Sequence, residues 1–374
     1  MKTMISVVSL AVVTTWVPTS WANTSATEQA HNSPTLTWNR IALEAVERAK
    51  PNQLQALRLL AYVSLAQYAA FAETKHESND AVATSSMRVI GGLFPSQVAF
   101  VEDRHRQHVP RAADTELPVA RHLLAEAQQD RFSQTWTGQA PQAPFTWRSL
   151  VNPPAPPALP ALGAMRTFLV DSGSVFRSAP PPAHDSTRFR DDLAEVRRHT
   201  AASTEESTRI AKFYDMTTGT LVAGFWNERA TELIRKNAVG ELQAARVLAT
   251  MNVAMMDAAI SCHDTKYTYW VPRPSQADTS IKPLISVPNH PSYPSNHSCI
   301  STAAGLVLAH FFPQDRGRLE AIAVEAGISR IYAGLHFRFD VDAGEEIGRK
   351  VANVAIARHD SVLARWTRTL IARN

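Results

Sequence analysis

Proline is spread unevenly along the 374 residues, and this constrains the fold more than any other feature. Ten of the 23 prolines fall between residues 141 and 182. Proline lacks a backbone donor and clashes with the preceding turn, so this stretch cannot be one helix. It reads as an extended crossover packed on the surface. It divides an amino-terminal helical half, 23–140, from a carboxy-terminal half, 183–374. On both sides apolar residues recur at helical spacing. Ile41, Ala42, Ala45, Val46 and Ala49 share one face of a helix over 39–50, stopped by Pro51. Residues 53–76 are apolar almost all round, which predicts a buried helix. Residues 77–140 read as helical, with breaks at Gly91-Gly92, Pro95 and Pro110. Ser203 to Glu206 fits a capping box with a helix behind it. Further helices are expected over 241–264, 298–312, 316–326 and 341–357. In the last, Val341, Gly344, Ile347, Val351 and Val354 face inward, and Glu346 and Lys350 form an i,i+4 pair. No alternating pattern of useful length and no repeat is present. The expected fold is all-α, helical bundles in two halves joined by the Pro-rich crossover.

Composition narrows the function. Hydrophobic residues at 45% and charged residues at 19% exclude a disordered chain. Two cysteines exclude a disulfide-dense scaffold and any multi-cysteine zinc or iron–sulfur site. The net charge of +4 comes with no Lys/Arg run, so no nucleic-acid partner is expected. Residues 1–22 read as a signal peptide: Lys2, an apolar stretch from Ile5 to Val17, then Ser20 and Ala22 at the cleavage positions. That apolar run is shorter than the roughly 20 residues that span a bilayer, and no other run reaches that length. The expected protein is exported, periplasmic or secreted, without a membrane span.

Three separated stretches carry the chemistry. They are Lys266 to Pro274, Tyr293 to Ser298, and Ser329 to Asp340. Lys266, Arg273 and Arg330 are three cations. Ser295 stands where an N-cap belongs, ahead of a helix whose first N–H groups and dipole suit an anion. His297 lies in the opening turn, and His336 follows Arg330 by six residues. Three cations, a helix N-terminus with a hydroxyl, and two imidazoles are what a tetrahedral oxyanion such as phosphate or vanadate requires.

Lys-x6-Arg-Pro, Pro-Ser-x-His and Ser-Arg-x5-His, in that order, resemble the three-part signature of the type 2 phosphatidic acid phosphatase and vanadium haloperoxidase superfamily. The resemblance covers about 205–360. It implies that Lys266, Arg273 and Arg330 clamp the oxyanion, with Ser295 and the backbone N–H of Asn296 as further donors. It implies that His336 ligates vanadate, or is the nucleophile of a phosphatase, and that His297 is the acid–base histidine. The family usually has glycine where this chain has Asn296, whose amide narrows the site or adds a donor. His336 to Asp340 is similar to a run in fungal chloroperoxidases. His290, seven residues before His297, matches algal bromoperoxidases, which implies a tuning role. Asp340 orients His336 or caps the final helix.

The implied activity is vanadate-dependent oxidation of bromide or iodide by hydrogen peroxide, in the soluble exported branch. Lys266 is then a catalytic residue that polarises the bound peroxide. The alternatives are an exported acid phosphatase using a phosphohistidine on phosphomonoesters, which needs no cofactor, and a non-catalytic oxyanion binder. The expected partners are these small molecules. Cys262 and Cys299 flank the implied pocket, and export supplies an oxidising compartment, so a bond between them is expected.

Overall fold

The computed structural model describes residues 33–74, 79–109 and 118–371. The expected signal peptide and the break at Pro110 lie outside the described residues. Among them the regular structure is α-helix with short 3₁₀ turns, and no strand occurs. The first half holds α1 (Pro34–Ala49), α2 (Gln53–Thr74), α3 (Asn79–Leu93), α4 (Val98–His108) and α5 (Pro118–Gln128). The second holds α6 (Thr187–Ala201), α7 (Glu205–Phe213), α8 (Leu221–Lys236), α9 (Glu241–Tyr269), α10 (Asn296–Phe311), α11 (Arg316–Tyr332) and α12 (Arg338–Ile371).

Local chemistry explains the boundaries. Ser33 caps α1 by accepting from the Leu36 N–H at 3.1 Å, with Pro34 at the first helical position. The capping box of α7 sits one residue later than the spacing suggests: Thr204 and Ser207 cap reciprocally. The pair Gly91-Gly92 does not break α3, which ends instead before Phe94-Pro95. A Cβ on Gly92 would come within 2.5 Å of the Leu124 side chain, so this glycine serves the close approach of α5. Helix α9 runs on through Lys266, because its first breaker is Pro272. Trp270 closes it in the left-handed conformation, φ 53°, donating its N–H to the Lys266 carbonyl.

The crossover is not simply a surface strap. Two 3₁₀ turns, Leu162–Ala164 and Gly173–Phe176, let Leu162, Met165, Phe168 and Phe176 sink into the core. It is held along α9 by side chains of that helix. Asp257, fully buried, accepts the Phe168 and Leu169 N–H groups at 2.8 Å each. Asp264 takes Arg177 as a two-pronged ion pair at 2.6 and 2.9 Å.

Helix α10 lies at the centre of the second half, against α9, α11 and α12, while α2 packs on the other length of α9. The approach of α10 to α12 is very close. A Cβ on Gly344 would stand 2.7 Å from the Ser295 carbonyl oxygen, and one on Gly348 would stand 2.6 Å from that of Cys299. Cys262 on α9 and Cys299 on α10 form a disulfide, with Cα atoms 6.5 Å apart. The inward face of α12 is as its spacing requires, and Glu346 pairs with Lys350 at 2.6 Å.

Candidate active site

Four helix ends meet at one end of the second half. Lys266 is in the last turn of α9, and Arg273 follows on the turn after it. Asn296 and His297 open α10. Arg330 is in the last turn of α11. His336 sits on the link into α12, and Asp340 lies in the first turn of α12. The α11–α12 link turns sharply at Gly334, φ +76°, where a side chain would be strained.

His336 is wired on both ring nitrogens. Nδ1 lies 2.9 Å from a carboxylate oxygen of Asp340, and Nε2 lies 3.0 Å from a guanidinium nitrogen of Arg273. A guanidinium only donates, so Nε2 carries the lone pair and Nδ1–H donates to Asp340. Asp340 thus orients the imidazole, and it also accepts the Phe337 N–H at 3.1 Å, which caps α12. Both expected roles belong to it. The Ser292 hydroxyl donates to the same carboxylate. Burial pushes the Asp340 carboxyl up to about 7.

His297 is fixed in the opposite sense. Its Nε2 lies 2.9 Å from the Tyr214 carbonyl, which can only accept, so Nε2 carries the proton and Nδ1 the free lone pair. Burial holds His290, His297 and His336 well below the ordinary imidazole range, and neighbouring cations push each further down. All three are therefore neutral near pH 7.

The cations are deeply placed. Lys266 and Arg273 are 0% exposed and Arg330 is 2% exposed. Arg273 donates to the His290 carbonyl at 3.0 Å and the Leu335 carbonyl at 2.9 Å, and His290 Nδ1 stands between its guanidinium at 3.1 Å and the Pro291 carbonyl at 3.0 Å. His290 therefore grips this arginine. Arg330 donates to the Ser329 hydroxyl and the Ala211 carbonyl, each at 2.9 Å. Burial lowers both guanidiniums to about 10. Lys266 donates its three protons to the carbonyls of Pro291 at 3.0 Å, Ser292 at 2.7 Å and Pro294. To touch an oxyanion it must exchange one of these bonds. Burial, and then Arg273, lower it well below the usual ammonium range. Ser295 caps α10, its hydroxyl accepting the Ser298 N–H at 3.4 Å. Among the described residues the N–H groups of Asn296 and His297 have no acceptor.

A cavity of about 310 Å³ opens on this cluster. His290, Asn296, His297, Arg330 and His336 line it, together with Gln53, Asp215, Met216, Leu221, Val222 and Ile300. Lys266, Arg273, Ser295 and Asp340 stand behind that wall. The described residues thus bring every expected site residue to one place. The sequence reading lacks Ser292, the Tyr214 carbonyl and Gln53. Ser292 lies within the His290–His297 run and was open to view. Tyr214 and Gln53 come from distant elements with no motif around them.

Three buried cations face one buried carboxylate, Asp340, with Asp215 supporting Arg330 from the cavity. Buried charge without a partner is costly, so this surplus favours an anion. The free N–H groups at the start of α10 point to the same ligand chemistry.

The PAP2 superfamily model matches residues 247–361. A non-specific acid phosphatase of Providencia stuartii is 28% identical over 181 residues, 48% of this chain and 70% of that one. The crystal structure of the first bacterial vanadium-dependent iodoperoxidase superposes with a TM-score of 0.74 at 25% identity, covering 87% of this chain and 96% of that one. An apo bacterial vanadium-dependent chloroperoxidase superposes at 0.66 and 13% identity over 84% and 93% of the two chains, a likeness of fold alone. With their part of the three-part signature and their all-α fold, residues 247–361 of the chain match the PAP2 superfamily.

Proposed function

We propose that this chain is a vanadate-dependent haloperoxidase that oxidises bromide or iodide with hydrogen peroxide, and that the bundle of 183–374 carries the reaction. The surplus of buried positive charge around the His336 Nε2 lone pair supports an oxyanion site. The peroxidase reading is favoured over hydrolysis by the likeness to the iodoperoxidase, which extends through both halves, whereas the acid phosphatase likeness covers 48% of the chain. The residues fit vanadate: two guanidiniums, an imidazole lone pair, a hydroxyl and free helix N–H groups form a donor set for a tetrahedral oxyanion.

When bound, vanadate would supply the activation of peroxide toward halide. The chain's own residues do the rest. His336, held in its tautomer by Asp340, offers Nε2 as the ligand once Arg273 gives up its hydrogen bond to that nitrogen. Arg273 and Arg330 balance the oxyanion charge. His297, neutral with Nδ1 free, moves the protons, since peroxide, halide and one proton give hypohalous acid and water. Lys266 polarises peroxide once it releases a carbonyl of the 291–294 loop. His290 tunes the site through its grip on Arg273.

The second reading is an exported acid phosphatase, favoured by the Providencia relative. There His336 Nε2 attacks phosphorus, the leaving alcohol takes its proton from His297 after Nδ1 has been protonated from acidic solvent, and water then releases phosphate. We also read the protein as exported. The Cys262–Cys299 disulfide supports an oxidising compartment. No helix among the described residues is long and apolar enough to cross a membrane.

A paired assay on the protein purified without oxyanion separates the two. The expected outcome is halide oxidation that appears on adding vanadate, with little hydrolysis of a phosphomonoester. Hydrolysis without halide oxidation would establish the phosphatase. Neither activity, with oxyanion binding intact, would leave a binder.

A further inference from the structure

We infer that two side-chain amides, Gln53 and Asn296, form a subsite in the cavity for a neutral, hydroxyl-bearing, largely apolar organic molecule. This deepens the reading above and rests on it only for the identity of the reacting group beside the subsite.

The two residues open helices from opposite halves of the chain, and both line the 310 Å³ cavity. Gln53 Oε1 accepts the Val222 N–H at 2.9 Å, which fixes the sense of its amide. Its Nε2 is closed off from solvent and has no partner. The Oδ1 of Asn296 is closed off and unpartnered as well. A buried polar atom left without a partner costs about 1–3 kcal/mol, so two of them in one cavity wall call for a ligand. The terminal amide torsion of Asn296 is soft, so its Oδ1 can turn toward the cavity without a change of rotamer, while Gln53 Nε2 keeps the place in the cavity wall that the Val222 bond gives its amide.

The pair sets the ligand chemistry. One amide contributes a donor and the other an acceptor, and an amide flip of Asn296 preserves hydrogen bonding to a group that both donates and accepts. A hydroxyl is such a group. Neither amide is charged, and Asp215 on the same wall repels a second anion. Met216, Leu221, Val222, Ile300 and Leu335 supply apolar surface for the body of the molecule. In the peroxidase this molecule is a phenol-like acceptor of the oxidised halogen. In the phosphatase it is the hydroxylated organic part of a monoester.

The test compares p-cresol with toluene, two probes that differ by one hydroxyl, by titration against the whole protein. The wild type should bind p-cresol roughly five- to tenfold more tightly, the range for one neutral hydrogen bond. Gln53→Met removes the donor and adds neither charge nor an acceptor, and it should abolish that preference. Asn296→Ala should reduce it. Gln53→Glu keeps the acceptor for Val222, and its second oxygen can accept the phenol O–H, so it should retain a preference that Gln53→Met loses. No preference in the wild type, or one unchanged in all three variants, overturns the inference. Titration with vanadate and with phosphate is run alongside. Failure of both to bind the wild type defeats the oxyanion reading and leaves the amide subsite to be judged on p-cresol alone.

Discussion

His336 and His297 carry their protons on opposite nitrogens, each fixed by a partner that can play only one part. The consequence for catalysis is specific. Asp340→Asn leaves the volume unchanged and frees the His336 ring to adopt the other tautomer. Turnover should fall on the order of 10²–10⁴-fold, the range for losing a positioned acid–base arrangement. Circular dichroism should show the fold intact. His336→Ala should abolish oxyanion loading, whereas His297→Ala should keep it and lose turnover by a similar 10²–10⁴-fold. Arg330→Ala should weaken oxyanion binding by roughly 1.5–3 kcal/mol, as for a charged hydrogen bond, measured by titration. At this scale the sequence was informative, because Lys266, Arg273, Ser295, His297, Arg330 and His336 sit in short runs whose spacing survives without coordinates. Tyr214 acts through a backbone carbonyl, which no side-chain pattern announces.

Among the elements, the joint between α10 and α12 positions the site from behind. Gly344→Ala places a methyl against the Ser295 carbonyl and Ser298, and should destabilise the protein by about 1–3 kcal/mol through overpacking. It should also weaken oxyanion binding, because the start of α10 must shift. Gly317→Ala is the control. A Cβ there meets nothing within 4 Å, so its stability should be unchanged or higher by up to about 1 kcal/mol. Chemical denaturation and oxyanion titration of both variants check the contrast. Replacing both Cys262 and Cys299 by alanine removes a tie across 37 residues and should lower stability by about 4 kcal/mol in the chain-entropy view. Helix existence was legible where apolar spacing was strong, as in α2 and α12. Ends were less so: α9 and α11 outrun their expected limits because no breaker stops them. Helix α6 escaped notice because its turns are mostly charged, with Phe189, Asp192 and Val196 its buried residues. Helix α8 has good spacing, but Thr220 gives it no side-chain cap.

For the molecule as a whole, the buried titratable groups set how stability depends on pH. His263, His290, His297 and His336 are all held below the usual imidazole value, chiefly by burial, His263 at about 3. As pH falls below about 6.5 the unfolded chain takes up these protons and the folded chain does not, so stability is lost. Asp257 and Asp340, raised to about 7 by burial, act in the opposite direction between about 4 and 7. Four imidazoles against two carboxyls leave a net loss on acidification, at most about 3 kcal/mol per pH unit. Urea midpoints at pH 7.5 and 5.5 should show it. Saturating phosphate should flatten the difference, because a bound anion favours charged imidazoles. The close joint of α10 and α12 bears on how such a molecule can drift over generations. Every codon change that alters Gly344 or Gly348 adds at least a Cβ, and neither position has room for one. Both are therefore without neutral neighbours in sequence space, although Gly344 and Gly348 lie behind the cavity and touch no reacting atom.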